Sequence, residues 1–254
     1  FRQTVAALVG ADLEGGDVAW YSSGSEALSS VLSSLSGRLV TVESHFPSAH
    51  YVHEHWALRS GGQIHRVPLD GNGVLRTEAL VDALDAETTV VSVPHGDYRT
   101  GILLDLRELT RGMAQRCPEA VLVLDAYQTV GSFPIAASEL SPRTVILGGG
   151  QLHLRAGTGI GFAWLSRDVL GRIRPDRVGW WAHQDPFALD HGPIRYGAGA
   201  SKLRTGTPAL LPLLSLVTEA RVLASSGRGD LASSLRMSRA RIATQIADVV
   251  EAAN

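Results

Sequence analysis

The chain has 254 residues, a formal net charge of −2 and 44% hydrophobic residues, enough for one large domain or two modest ones with an ample core. The near-neutral balance, with a pI of about 6.5, removes the electrostatic case for nucleic acid or an anionic membrane surface as partner; no apolar run reaches the roughly 18 residues of a membrane span. The single cysteine, Cys117, excludes an internal disulfide framework, and of the 23 Lys and Arg residues one alone, Lys202, is a lysine.

Residues 1–9 carry an amphipathic helical pattern without a cap. Apolar, strand-like runs follow at 18–21, 39–42, 63–67, 88–93, 120–124, 144–147 and 161–165, with helical patterns between them at 25–35, 48–59, 77–84 and 105–116. Short β-rich runs separated by helices of about ten residues predict an α/β fold, a mainly parallel central sheet covered on both faces. Leu122-Val123-Leu124 is apolar without alternation, as a strand buried on both sides should be. Beyond residue 165 the rhythm stops. Residues 174–208 are rich in proline and glycine and predict a long irregular segment; a helix is expected at 209–224, and a last helical pattern at 238–254 is cut off. No signal-peptide pattern opens the chain, so the expected location is cytoplasmic.

Ligands of an open α/β sheet sit beyond the carboxyl ends of its strands, which directs attention to three segments. Tyr21-Ser22-Ser23-Gly24-Ser25-Glu26 joins a strand to a helix and offers backbone N–H groups at a positive helix end, suited to a phosphate or to a plain serine cap. Asp125-Ala126-Tyr127-Gln128 places a carboxylate directly after the buried strand, where it needs a cation or several donors. The glycine-rich stretch 148–161 precedes a strand and opens no helix, so its GxGxG spacing reads as turn glycines and not as a dinucleotide site. His50, His53 and His55 lack metalloprotease spacing and read as partly exposed helix histidines, with no metal site expected. No GxSxG or SxxK motif supports a serine hydrolase.

Together these segments resemble the fold-type-I pyridoxal-phosphate enzymes, the class V aminotransferase group, and within it kynureninase-like proteins. Ser22-Ser23-Gly24-Ser25-Glu26-Ala27-Leu28 resembles the family's phosphate-binding segment, which implies Ser23, Gly24 and Ser25 as cofactor ligands. Phe46-Pro47-Ser48 resembles the stretch whose phenylalanine stacks on the pyridine ring. Asp97-Tyr98-Arg99-Thr100-Gly101 resembles a loop carrying an Asn-Tyr pair, with aspartate replacing asparagine and Tyr98 facing the substrate. Asp125-Ala126-Tyr127-Gln128 resembles the element whose aspartate pairs with the pyridinium nitrogen, with Tyr127 and Gln128 beside it. Gly179-Trp180-Trp181-Ala182-His183 resembles a stretch near the phosphate. Arg204-Thr205-Gly206-Thr207-Pro208 resembles a segment offering an arginine to the substrate carboxylate and a Gly-Thr, here with Thr207, to the partner subunit's phosphate.

The resemblance implies a three-layer aminotransferase-like fold over residues 1–224, incomplete at its N-terminus. It further implies that 225–254 begin a C-terminal helix leading to a small domain, and a homodimer with the site at the subunit boundary. It also implies pyridoxal or pyridoxamine phosphate and a small-molecule, amino-acid-like or carboxylate substrate. One feature departs from the pattern. Aligning Gly157-Thr158-Gly159-Ile160-Gly161-Phe162 with the family's glycine-rich turn sets Leu152 where the family has the lysine that holds the cofactor as an imine; Gln151 and His153 flank it. An arginine cannot replace that amine. Three readings follow: non-covalent cofactor with His153 moving the proton, chemistry or plain binding without the cofactor, or Lys202 reaching the site from the loop before Arg204. The fold then serves an atypical enzyme or, alternatively, a non-catalytic binding or regulatory homologue.

Overall fold

The computed structural model describes residues 1–189 and 191–225, together with residues 240, 243–246 and 251. Among these, seven strands form one sheet: β1 (Gly16–Tyr21), β2 (Arg38–Val42), β3 (Gln63–Val67), β4 (Thr88–Pro94), β5 (Val121–Asp125), β6 (Thr144–Gly149) and β7 (Gly161–Ser166). The order is β1-β7-β6-β5-β4-β2-β3. The pairs β2/β3, β2/β4, β4/β5 and β5/β6 are parallel, whereas β7 runs antiparallel to both β6 and β1. The helices are α1 (Arg2–Leu8), α2 (Gly24–Leu32), α3 (Pro47–Ser60), α4 (Thr77–Asp82), α5 (Leu106–Arg116), α6 (Arg167–Arg172) and α7 (Leu210–Ser225). This is the mainly parallel α/β sheet that the sequence predicts.

The layers follow from strand geometry. Successive side chains of β5 point to opposite faces: Leu122 and Leu124 join the core that holds Val5, Leu109 and Met113, while Val121 and Val123 join the one that holds Leu28, Val31 and Leu32. Both faces need apolar cover, so the strand reads as a continuous apolar run. Helix starts obey local rules. The Ser23 hydroxyl accepts the Glu26 N–H at the head of α2, and the Asp105 carboxylate accepts from Arg107 and Glu108 at the head of α5. Pro47 opens α3, and Gly61, at a φ of +69°, closes it.

Among its described residues, the segment 174–208 holds three short 3-10 turns, at Trp180–Ala182, Pro186–Ala188 and Gly199–Leu203, and is otherwise irregular. Helix α6 is not among the helices expected from the sequence. The expected helix at 238–254 and the domain boundary at 225 lie for the most part outside the described residues. No helix among the described residues is long and apolar enough to cross a membrane.

Candidate active site

The carboxyl ends of β1, β2, β4, β5 and β6 meet along one edge of the sheet. The loops leaving them enclose a cleft of about 370 Å³. Ser23, Gly24 and Ser25 border it from the head of α2, Phe46 from the loop after β2, and Tyr98 from the loop after β4. Asp125, Tyr127 and Gln128 come from the end of β5, and Gln151 and Leu152 from the turn after β6. Sequence separations of more than a hundred residues close here because parallel strands deliver their ends to the same side.

Asp125 sits at the cleft floor, partly open to it. Its Oδ1 accepts the Tyr127 backbone N–H at 2.9 Å, and among the described residues no ion pair neutralises it. Burial therefore pushes its carboxyl up to about 6, against the lowering effect of that one hydrogen bond. The same burial, with Asp125 beside it, raises the Tyr127 phenol. Phe46 is 45% exposed, its ring braced edge-on by Tyr98 at a centroid distance of 5.2 Å. The Tyr127 ring lies against two glycines: a Cβ on Gly24 would fall 2.9 Å from it and one on Gly149 2.2 Å. Only glycine lets that ring lie flat at the head of α2.

His45, also at the cleft, is 2% exposed and is absent from the residues that the sequence singles out. Its position directly before Phe46 is the available signal. Behind it stand His50 and His53, with ring centroids 5.6 to 6.3 Å apart. His53 is fully buried, with Nε2 2.9 Å from the Ser92 hydroxyl, contrary to the expected partial exposure. It faces the sheet, where Ser92 of β4 lies. Burial, with His50 and Arg66 nearby, depresses it to about 3. Among the described residues no group of His, Cys, Asp or Glu is arranged to hold a metal ion.

Five predicted residues lie outside the lining of this cleft. His153 is exposed beside it, with Nε2 3.0 Å from the Gln128 carbonyl. Lys202 donates to the Leu170 carbonyl at 2.6 Å, and burial, with Arg174 nearby, lowers its pKa. Arg204 stacks over Trp20 at 4.4 Å. Trp180 packs with Trp181 and Phe187 at 4.7 and 5.6 Å. Thr207 lines a separate cleft with Ser22, Glu26 and Arg177.

The family model for class-V aminotransferases matches residues 1–251. The chain belongs to that family. It is 28% identical over 214 residues to the uncharacterized aminotransferase YcbU of Bacillus subtilis, covering 83% of this chain and 54% of that protein. It is 30% identical over 131 residues to kynureninase of Burkholderia mallei, covering 49% and 31%. The chain thus spans about half or less of the length of these curated relatives. Among solved structures, the cystine C-S lyase C-DES, in complex with its product cysteine persulfide, shares the fold with a TM-score of 0.78 at 20% identity, over 89% of this chain and 60% of that one. In a C-DES variant, glycine is covalently linked to a PLP cofactor.

Proposed function

We propose that the cleft binds pyridoxal or pyridoxamine phosphate without a covalent link to the protein and acts on an amino-acid-like or small carboxylate substrate. One observation carries the reading. A strand-end carboxylate pushed up to about 6 for want of a cation shares its cleft with a half-exposed phenyl ring, and that cleft contains no amine. The only lysine in the sequence is hydrogen-bonded to Leu170 elsewhere, and Leu152 lines the cleft at the position that the family resemblance assigns to the lysine.

The residues fit the group. Asp125 would accept the N–H of a bound pyridinium and so gain the cation it lacks. Phe46, braced by Tyr98, would cover one ring face. The head of α2 turns the backbone N–H groups of Gly24 and Ser25 towards a phosphate, since the Ser23 hydroxyl is already used on Glu26. A cleft of about 370 Å³ falls within the usual range of roughly 300–1,000 Å³ for small-molecule sites. When bound, the cofactor supplies an electron sink next to the substrate's α-carbon. With Leu152 unable to move a proton, His153 is the adjacent imidazole, its Nε2 resting on the Gln128 carbonyl.

The reading is tested by titrating the protein with pyridoxal phosphate under an absorbance scan, then treating it with borohydride and weighing the intact chain. Saturation at or below tens of micromolar, with no added mass after reduction, is the expected result. An absence of saturable binding refutes a retained cofactor and favours the non-catalytic homologue. A reduced adduct on Lys202 refutes the non-covalent mode.

A further inference from the structure

We infer that a second cleft, at the opposite end of β1, is an anion site for a small carboxylate carrying an apolar body. The cofactor cleft opens beyond Tyr21, the last residue of β1. The second, of about 400 Å³, is built on Gly16 and Asp17, its first residues, and on Arg167, directly after β7. Gly16 stands opposite Ser166 and Tyr21 opposite Gly161, so the two clefts are built on opposite ends of β1, a strand about 17 Å long.

Positive charge is in excess here. Arg2, Arg167 and Arg204 line the cleft against one carboxylate, Asp17. That carboxylate is already engaged: Oδ1 accepts from Arg2 Nε at 2.5 Å and from the Val18 N–H at 2.7 Å, and Oδ2 accepts the Ala200 N–H at 2.9 Å. The arrangement is built in. Gly199, at a φ of +59°, lets the chain approach so closely that a Cβ would fall 2.3 Å from Asp17 Oδ2. Arg167 spends two donors on the neutral Glu14 carbonyl and joins no ion pair among the described residues.

Arg204 is the residue aimed at a ligand. Its guanidinium stacks over Trp20, its Nε is buried without a hydrogen-bond partner, and it joins no ion pair among the described residues. Burial and the neighbouring Arg2 both disfavour its charge, with Asp17 opposing them only in part. His183, also at the cleft, has Nδ1 against the Asp185 backbone and a buried, unpartnered Nε2. An orphaned donor on a partly desolvated guanidinium is costly until an acceptor arrives, and a planar carboxylate matches the guanidinium fork. Leu13, Leu170 and Trp181 supply the apolar wall. This site stands independently of what occupies the cofactor cleft.

Calorimetric titration of the 254-residue chain with benzoate, and in parallel with inorganic phosphate, tests the assignment. Benzoate is expected to saturate one site in the millimolar range or tighter, with saturating pyridoxal phosphate leaving its affinity unchanged. Arg204→Gln should weaken benzoate by about tenfold and the exposed Arg167→Gln severalfold. Three results overturn the site: no saturation, competition between benzoate and pyridoxal phosphate, or wild-type benzoate affinity in both variants. Phosphate binding as tightly as benzoate, with the same dependence on both arginines, overturns the carboxylate class.

Discussion

Asp125→Asn should stabilise the unliganded protein at neutral pH, and by an amount the structure bounds. The carboxyl titrates at about 6 in the folded chain, against 3.8 for an unperturbed aspartate. A group whose pKa is raised by folding favours the folded state in its protonated form: the stability is present below pH 3.8 and is lost as pH rises through 6. The full loss is about 3 kcal/mol, taken as an upper figure because the residue is partly open to the cleft. About half has gone by pH 5, and nearly all by pH 7.5. Asparagine keeps an oxygen for the Tyr127 N–H and has no charge to desolvate. Urea denaturation of both proteins at pH 5 and 7.5 therefore should show the asparagine variant gaining roughly 1 to 1.5 kcal/mol relative to wild type between the two pH values. Equal stability differences at both pH values would refute the account of Asp125 as an unpaired carboxylate. Pyridoxal phosphate should reverse the order, since its pyridinium supplies the cation only to the aspartate.

Two further outcomes follow from other residues. His53, depressed to about 3 by burial with His50 and Arg66 nearby, acts in the opposite pH direction: its stability is present above about 6.5 and is lost as pH falls, by about 2 kcal/mol between pH 7 and pH 5. His53→Gln should flatten that slope in denaturation curves, and an unchanged slope would place the acid sensitivity elsewhere. Leu152→Lys puts an amine on a residue that is 37% exposed at the cleft. With pyridoxal phosphate this variant should turn yellow and, after borohydride, gain the mass of the reduced cofactor on the peptide that contains the substituted position. Binding without any reducible adduct would show that residue 152 does not occupy the lysine position.

The sheet was legible because most strands carry a run of β-branched and aliphatic residues long enough to show, and because crossover helices of about ten residues separate most of them. Less visible was the direction of β7. A six-residue apolar run looks the same in either orientation, and what decides it is the short, glycine-rich turn between Gly149 and Gly161, which carries no crossover helix. Asp125 and the Ser23–Ser25 stretch lie at a strand end and a helix head, so reading the elements placed them together; Phe46, in the loop after β2, was reached through the family resemblance. The residues beyond 170 gave no such anchor. Trp180, Lys202, Arg204 and Thr207 sit on irregular chain whose course is set by tertiary contacts such as Asp17 with Ala200. His45 is silent in the sequence because a buried imidazole has no periodic signature.

The arrangement of β1 and β7 leaves unbalanced charge at both ends of the strands. The ends of β1, β2, β4, β5 and β6 converge on one edge, and there the backbone N–H groups at the head of α2 are drawn towards negative charge. A carboxylate fixed at the end of β5 between two paired neighbours, β4 and β6, cannot turn away to solvent. Its cost stays in the cleft until a cation binds. At the other edge, the reversal of β7 returns the chain to the start of β1 and delivers Arg167 beside Asp17, so that the 3-10 turn Gly199–Leu203 can add a backbone donor and Arg204. There a single carboxylate is saturated by donors and guanidinium charge remains in excess. The two proposed occupants, a cationic ring at one end and an anion at the other, answer these imbalances, and each imbalance has its source in a residue held at the end of a strand.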